Sequence, residues 1–83
     1  MPFYVYIIYS ASADKYYVGQ TEDIDDRLVQ HQQGRGKYTS FTHDWNLVYT
    51  EIHNTRSEAI RRETEIKNKK SRKYIEFLIN SVG

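Results

Sequence analysis

The stretch FYVYIIYSASADKYYVGQ, residues 3–20, decides the fold of this chain of 83 residues. Its first part, 3–9, consists of apolar, aromatic and β-branched residues, and this composition predicts a buried strand. A turn-forming segment follows, and strand character resumes over 15–20. Two strands joined by about five residues predict a β-hairpin. Alternation places Tyr6 and Tyr17 each on one face of its strand, but the sequence leaves open whether the two faces coincide.

The pattern then predicts a helix and a third strand. The helix begins after Thr21 or Asp23, both good N-caps, and ends near Gly34, a residue typical of the position after a helix. A polar loop follows, and residues 45–52 have the composition of a strand.

Two further helices complete the predicted order β-β-α-β-α-α, a single α/β unit. Thr55 and Glu58 have the spacing of a capping box, and the helix that they introduce runs to about Lys67. Ser71 can cap the last helix. We expect one domain over residues 1–83, with only a modest core.

The composition excludes several classes of protein. The chain has no cysteine, so neither disulfides nor thiolate zinc sites can stabilise it. No apolar run approaches the roughly 20 residues of a membrane span, and the N-terminus lacks the pattern of a signal peptide. We therefore expect a soluble cytoplasmic protein without a membrane partner.

Charge is distributed unevenly, although the net charge is only +1. Residues 1–52 contain four Lys or Arg against seven Asp or Glu, whereas residues 53–83 contain eight against four. Most of the excess belongs to a basic cluster, which consists of Lys67, Lys69, Lys70, Arg72 and Lys73. Such a cluster suits a phosphate backbone, but basic runs also occur on solvated helix ends that bind nothing.

Two side chains of the first helix occupy unexpected positions. His31 continues the apolar stripe of Ile24 and Leu28, and Arg27 flanks that stripe one turn before His31. A histidine there is usually structural and such an arginine is usually solvated. Together they form a cationic ridge that can hold a phosphate.

Glu63 interrupts the apolar stripe of the second helix, which contains Ala59, Ile60 and Ile66. An isolated carboxylate that faces a core is unfavourable unless it is paired or coordinates a cation. Two interpretations stay open at this point. One is an ion pair with an arginine such as Arg27, or a stripe edge that reaches water. The other is a ligand for Mg²⁺ or Mn²⁺.

These segments together resemble the GIY-YIG nuclease superfamily over nearly the whole chain. Val5-Tyr6-Ile7 stands for the first signature, with valine in place of its glycine, and Tyr17-Val18-Gly19 stands for the second. Residues 26–31 resemble the Arg-x-x-x-His helix of the family, and residues 59–63 resemble its metal-binding helix. The likeness is greatest to small stand-alone bacterial members, and it extends to the nuclease domains of the excinuclease C subunit and of eukaryotic structure-selective endonucleases.

The resemblance implies a three-stranded antiparallel sheet flanked by helices. It also implies hydrolysis of DNA phosphodiester bonds with one Mg²⁺ or Mn²⁺, in DNA repair or recombination. Glu63 would hold the metal, and Arg27 would stabilise charge on the scissile phosphate. Tyr6 and Tyr17 would flank the attacking water, and His31 would assist the one that acts as base. Tyr6 is the favoured base, because desolvation and a nearby cation could tune its pKa.

The residues expected to contact DNA are Lys37, Lys67, Lys69, Lys70, Arg72 and Lys73.

Two other functions compete with that of a nuclease. One rival is a non-catalytic nucleic-acid-binding or adaptor module on the same fold, and another is a structural protein whose basic C-terminus docks an acidic partner. Against the first rival, a decayed enzyme would be expected to have lost at least one of the five catalytic candidates. The substrate preference, a protein partner that supplies specificity and the oligomeric state are left open.

Overall fold

The structure is a computed structural model that describes residues 2–36 and 38–81, and in these ranges it contains three strands and three helices. The strands are β1 (Phe3–Ser10), β2 (Lys15–Thr21) and β3 (Trp45–His53), and the helices are α1 (Ile24–Gln32), α2 (Arg56–Lys69) and α3 (Arg72–Asn80). Their order confirms the prediction β-β-α-β-α-α. None of the helices in these ranges is long and apolar enough to cross a membrane. Lys37, expected to contact DNA, lies outside the described residues.

The three strands form one antiparallel sheet, as the resemblance implies, and their order within the sheet is β2-β1-β3. β1 is the central strand, and residues 5–8 in its middle are buried. Tyr6 lies opposite Gly19, and Ile8 lies opposite Tyr17. Because side chains alternate between the two faces of a sheet, Tyr6 and Tyr17 project from the same face. The register thus answers the question that the sequence left open.

Each face of the sheet has its own hydrophobic cluster, so the middle of β1 has no polar face. The cluster beside α1 consists of Tyr6, Ile8 and Trp45, with Tyr17 and Leu28 packed against it. The cluster beneath α2 and α3 consists of Val5, Ile7, Val18, Ala59, Ile66 and Leu78. The tyrosines of the two signatures therefore belong to the smaller cluster, on the face that α1 covers.

Polar side chains fix the N-terminus of every helix in the described ranges. Asp23, Thr55 and Ser71 cap α1, α2 and α3, and each accepts a hydrogen bond from the backbone N–H three residues later. All three caps were predicted, with Asp23 as one of two candidates. α2 continues two residues beyond its predicted end, to Lys69, and Lys70 ends it in the left-handed conformation with φ of 48°.

A charged network anchors α2 to the sheet. Arg62 donates from Nε to Oε1 of Glu51 at 2.9 Å and from Nη2 to Oε2 at 2.9 Å, a bidentate pair with β3. The same guanidinium contacts Glu65, and it donates to the hydroxyl of Tyr74 on α3 at 3.1 Å. The contacts with β3 and α3 fix the rotation of α2 about its axis, and with it the direction in which Glu63 projects.

The apolar stripe predicted for α2 is confirmed only in part. Ala59 and Ile66 are buried, but Ile60 is 44% exposed, so its assignment to the core was wrong. Glu63 lies at the edge of the stripe, and its side chain is 19% exposed. Its ion-pair partner is Lys67, one turn later, and not Arg27. The carboxylate is therefore paired and reaches water.

Candidate active site

Tyr6 and His31 form the centre of the candidate site. Oη of Tyr6 lies 2.9 Å from Nε2 of His31, and the two residues are only 3% and 2% exposed. The central strand supplies the tyrosine, and the inner stripe of α1 supplies the histidine. The ring of Tyr17 lies beside them, with its centroid 5.2 Å from that of His31. The unexpected core position of His31 thus brings it into contact with the tyrosine of the first signature.

Gly19 leaves the space that the end of the Tyr6 side chain fills. The two residues are partners in the sheet, and a Cβ at position 19 would overlap the hydroxyl of Tyr6. β2 continues past Gly19 to Thr21, so this glycine does not end the strand but allows the Tyr6 side chain to approach the β2 backbone closely. A side chain at this position would displace Tyr6 from His31.

Burial dominates the titration of Tyr6 and raises the pKa of its hydroxyl well above the ordinary value. The neighbouring Tyr17 and Glu63 also raise that pKa, whereas the charge of Arg27 lowers it. Of the two influences expected to tune Tyr6, desolvation disfavours the phenolate, whereas the nearby cationic charge of Arg27 favours it. Tyr6 is a neutral phenol in this site.

Burial, together with the charge of Arg27, lowers the pKa of His31. A histidine with a lowered pKa is neutral near pH 7, so one of its ring nitrogens is bare and can accept a proton. Arg27 itself is exposed on α1, one turn before His31. Because its charge acts on both Tyr6 and His31, it is close enough to stabilise an anion bound beside them.

α2 brings two charged side chains to the edge of the site. Nζ of Lys67 donates to Oε2 of Glu63 at 2.6 Å, and the same ammonium lies 5.3 Å from the centroid of the Tyr17 ring. The other four catalytic candidates of the sequence thus interact with Tyr6, His31 by a contact of 2.9 Å and Tyr17, Arg27 and Glu63 electrostatically. Lys67, expected only to contact DNA, lies among them.

Glu63 is the candidate ligand for a metal ion. In the part of the chain that the structure describes, no group of three His, Asp or Glu side chains is arranged to hold a metal. A single, partly exposed carboxylate nevertheless fits Mg²⁺ or Mn²⁺, since such ions retain several waters and also bind substrate phosphates. The cation would compete with Lys67 for Oε2. The residues present fit one ion held largely by water and substrate.

A groove of about 400 Å³ extends from Tyr17 to the turn between α2 and α3. The basic side chains that line it are Lys15, Lys67, Lys70 and Arg72. Arg72 is bound to Asp14 and Glu76, and its guanidinium lies over the ring of Tyr16. The groove therefore presents lysine ammonium groups next to the candidate site.

The structure divides the basic cluster between two surfaces. Lys67, Lys70 and Arg72 line the groove, but the ammonium of Lys69 lies 5.3 Å from the ring centroid of Tyr74. Lys73 is exposed on α3 and is not part of the groove lining.

Sequence reasoning assigned no role to Thr39, which lies in the loop between α1 and β3. Its Oγ1 lies 2.6 Å from Nδ1 of His31, and the residue is only 1% exposed. Gly36 approaches the same contact, because a Cβ there would lie 2.7 Å from Nδ1 of His31 and would overlap Thr39. The available signal was the pair of glycines, Gly34 and Gly36, that follows His31 closely in a polar loop.

Comparison with known proteins shows the family of the chain. The family model of the GIY-YIG catalytic domain matches residues 2–75. The chain belongs to the GIY-YIG family. The GIY-YIG fold is that of a nuclease superfamily, and its members generally use divalent metals.

Several similar proteins carry the name UPF0213, which states no activity. The UPF0213 protein of Staphylococcus saprophyticus is 37% identical over 76 residues, which cover 90% of this GIY-YIG chain and 92% of that relative. A UPF0213 protein of Staphylococcus aureus is 42% identical over 65 residues, covering 77% and 78% of the two chains. The solution NMR structure of a UPF0213 protein from Bacillus halodurans, 37% identical, superposes with a TM-score of 0.60 over 96% of this chain and 84% of that one.

Proposed function

We propose that this GIY-YIG domain is a metal-dependent endonuclease that hydrolyses DNA phosphodiester bonds. The convergence of Tyr6, Tyr17 and His31 on one face of the sheet carries the proposal. Arg27 and Glu63 complete the arrangement, since both charges act on the Tyr6 hydroxyl. Membership of a nuclease superfamily supports this chemistry.

Tyr6 and His31 together accept the proton of the attacking water. A phenol with a raised pKa accepts a proton only if it gives up its own at the same time. The water proton therefore moves to Oη of Tyr6 while the Tyr6 proton moves to Nε2 of His31, 2.9 Å away. The water oxygen attacks phosphorus, the P–O ester bond breaks, and the leaving oxygen takes a proton from solvent. The imidazolium returns its proton through Tyr6 after the products leave.

Arg27 stabilises the charge that builds up on the scissile phosphate, because guanidinium offers a planar fork of donors that matches phosphate oxygens. Glu63 would hold the divalent ion, which when bound supplies Lewis acidity at the phosphate and lowers the pKa of a coordinated water. In the protein without metal, Lys67 compensates the charge of Glu63.

The groove beside Tyr17 gives the DNA backbone a path away from the scissile phosphate. Lys15, Lys67 and Lys70 line this path, and ammonium groups bind phosphates as point charges. A nuclease of this kind would act in DNA repair or recombination, as the resemblance implies.

The test is nicking of supercoiled plasmid by the purified chain with Mg²⁺, with Mn²⁺ and with EDTA. Arg27→Ala is compared with Arg61→Ala, which removes an exposed arginine of α2 that has no place in the proposed site. We expect metal-dependent nicking by the parent and by Arg61→Ala. Arg27→Ala should lose roughly 10²–10³-fold in rate, the usual cost of removing one donor to transition-state charge.

A parent protein that binds the plasmid but nicks it with neither metal would contradict the proposal. That result would instead support the non-catalytic nucleic-acid-binding module on the same fold. Equal nicking by Arg27→Ala and the parent would remove Arg27 from the mechanism and would point to a contaminating nuclease.

A further inference from the structure

Both ring nitrogens of His31 have partners, although the proton step uses only one of them. Nε2 faces the Tyr6 hydroxyl at 2.9 Å, and Nδ1 faces Oγ1 of Thr39 at 2.6 Å. A neutral imidazole has one N–H and one bare nitrogen, so the two contacts cannot be set independently. The partner on Nδ1 therefore determines what Nε2 can do.

The chemistry of the two hydroxyls favours one tautomer. The Tyr6 phenol is far more acidic than the aliphatic alcohol of Thr39, so the phenol is the better donor and the alcohol oxygen is the better acceptor. His31 then has its hydrogen on Nδ1, donates it to Thr39, and leaves Nε2 bare. In the opposite tautomer Nε2 already has a hydrogen, and Tyr6 could not pass a proton to it.

The loop holds Thr39 firmly in this position. Nε1 of the buried Trp45 donates to the Thr39 carbonyl at 3.0 Å, and the Thr39 N–H donates to the Gly36 carbonyl at 3.3 Å. The backbone of Gly36 closes over the contact between Thr39 and His31, where a Cβ has no room. Main-chain anchors on both sides fix the hydroxyl beside Nδ1.

We propose that Thr39 is a positioning residue that holds His31 in the Nδ1–H tautomer and thereby keeps Nε2 bare for the Tyr6 proton. The catalytic consequence rests on the proposed function, but the tautomer is a property of the free protein. The arrangement follows the general logic in which a third group orients the base of a proton-transfer pair.

Long-range ¹H–¹⁵N NMR of the ring nitrogens tests the tautomer directly, at about pH 8, above the usual imidazole pKa of roughly 6.5. His43 is an internal reference, because its Nδ1 lies 2.9 Å from the Gln32 carbonyl, which can only accept. In the parent, His31 should give the same Nδ1–H pattern as His43. Thr39→Val removes the acceptor and should move His31 toward the Nε2–H tautomer, whereas Thr39→Ser should keep the parent pattern.

Nicking then tests the consequence of the tautomer. Thr39→Val should lower the single-turnover rate by up to about 10²-fold, the cost of misplacing a catalytic group, with little change in DNA affinity. Thr39→Ser should recover most of that rate.

A bare Nδ1 on His31 in the parent would overturn the proposal, and so would an unchanged ring spectrum in a folded Thr39→Val. The parent and Thr39→Ser spectra decide the question even if Thr39→Val does not fold. Absence of nicking by the parent would contradict the proposed function alone, because the ring spectra do not depend on activity.

Discussion

Two tyrosines from neighbouring strands lie beside His31, but their surroundings differ. Tyr6 is buried and hydrogen-bonded to Nε2, whereas Tyr17 is half-buried beneath the Lys67 ammonium at the mouth of the groove. The Tyr6 hydroxyl directly faces an acceptor for its proton, Nε2 of His31. In the proposed mechanism, this difference is the reason for giving proton transfer to Tyr6 and a place beside water and substrate to Tyr17.

Replacing each tyrosine by phenylalanine tests this division. Tyr6→Phe should lower single-turnover nicking by roughly 10²–10⁴-fold, the range of general acid–base catalysis. It should also lower the free energy of unfolding by roughly 1–3 kcal/mol, because His31 loses a buried partner. Tyr17→Phe should have a smaller effect on both quantities. Tyr9→Phe is the matched control, since its hydroxyl binds Asp14 at an exposed site on the same strand. A larger rate loss for Tyr17→Phe would reverse the assignment.

Glu63→Gln tests the metal ligand. The amide keeps the shape of the side chain but loses the charge, so nicking with Mg²⁺ or Mn²⁺ should be abolished. Stability should change by no more than about 0.5 kcal/mol, because the pair with Lys67 is partly exposed and spaced i, i+4. Glu65→Gln, on the same helix but bound to Arg62, should nick at the parent rate. Metal-dependent nicking by Glu63→Gln at that rate would show that the ligand lies elsewhere.

The buried imidazole predicts a dependence of stability on pH. The pKa of His31 is lowered in the folded state, so between that value and the unfolded value of roughly 6.5 the unfolded chain binds more protons. Stability therefore rises with pH through this window and is lost as pH falls. We expect the free energy of unfolding, measured in urea, to fall more between about pH 7.5 and about pH 5.5 for the parent than for His31→Gln, which lacks the titrating group. Equal losses in the two proteins would contradict this account.

At the scale of elements, the placement of Glu63 depends on how α2 is held against β3. The Arg62–Glu51 pair is about one-fifth exposed on each side, and Glu51 is also bound by Tyr49 and by His53 at 3.2 Å. Burial, with this carboxylate beside it, raises the pKa of Tyr49 to about 12. Both charged groups of this network have hydrogen-bond partners, so the loss of one of them leaves a partly buried charge without its partner.

Glu51→Gln should therefore lower the free energy of unfolding by roughly 1–3 kcal/mol in urea titrations. Nicking should fall as well, since α2 can rotate and carry Glu63 with it. Glu22→Gln is the matched control, because its pair with Arg56 is exposed and 3.8 Å long, and such pairs contribute at most about 1 kcal/mol. A stable Glu51→Gln variant would show that apolar packing alone positions α2.

Local signals were enough to predict the elements, whereas contacts between distant segments were not. The caps of α2 and α3 and the order of the strands and helices along the chain follow from short-range patterns. The face shared by Tyr6 and Tyr17 depends on the register between β1 and β2, which no single strand specifies. Ile60 fits the helical period of its stripe but is exposed, because only Ala59 and Ile66 of that stripe belong to the core packed between α2 and the sheet.

The residues of the candidate site show the same difference between local signals and contacts of distant segments. His31 and Glu63 could be recognised because each breaks an apolar pattern at a definite helical position. Thr39 breaks no pattern, since a threonine in a polar loop is ordinary. Its role arises only when the loop folds back over α1 and brings Oγ1 to Nδ1 of His31.

At the scale of the whole molecule, the residues of the basic cluster lie on two surfaces. One is the groove beside the candidate site, with Lys15 from β2 and Lys70 from the end of α2. The other is formed by Lys69 beside Tyr74 and by Lys73 on α3. The sequence indicated a single cluster. The directions in which the side chains beyond Lys67 project depend on the residue at which α2 ends, and that residue was not predicted accurately.

Salt-dependent DNA binding distinguishes the two surfaces. Each phosphate contact contributes about −0.9 to the slope of log K against log salt on duplex DNA, through release of counterions. Replacing Lys15 and Lys70 by glutamine should flatten the slope by up to about 1.8 units, whereas replacing Lys69 and Lys73 should leave it nearly unchanged. Both double variants remove the same charge, so a general effect of net charge would change the two slopes equally. A flatter slope for Lys69 and Lys73 alone would place the DNA on the α3 surface and not in the groove.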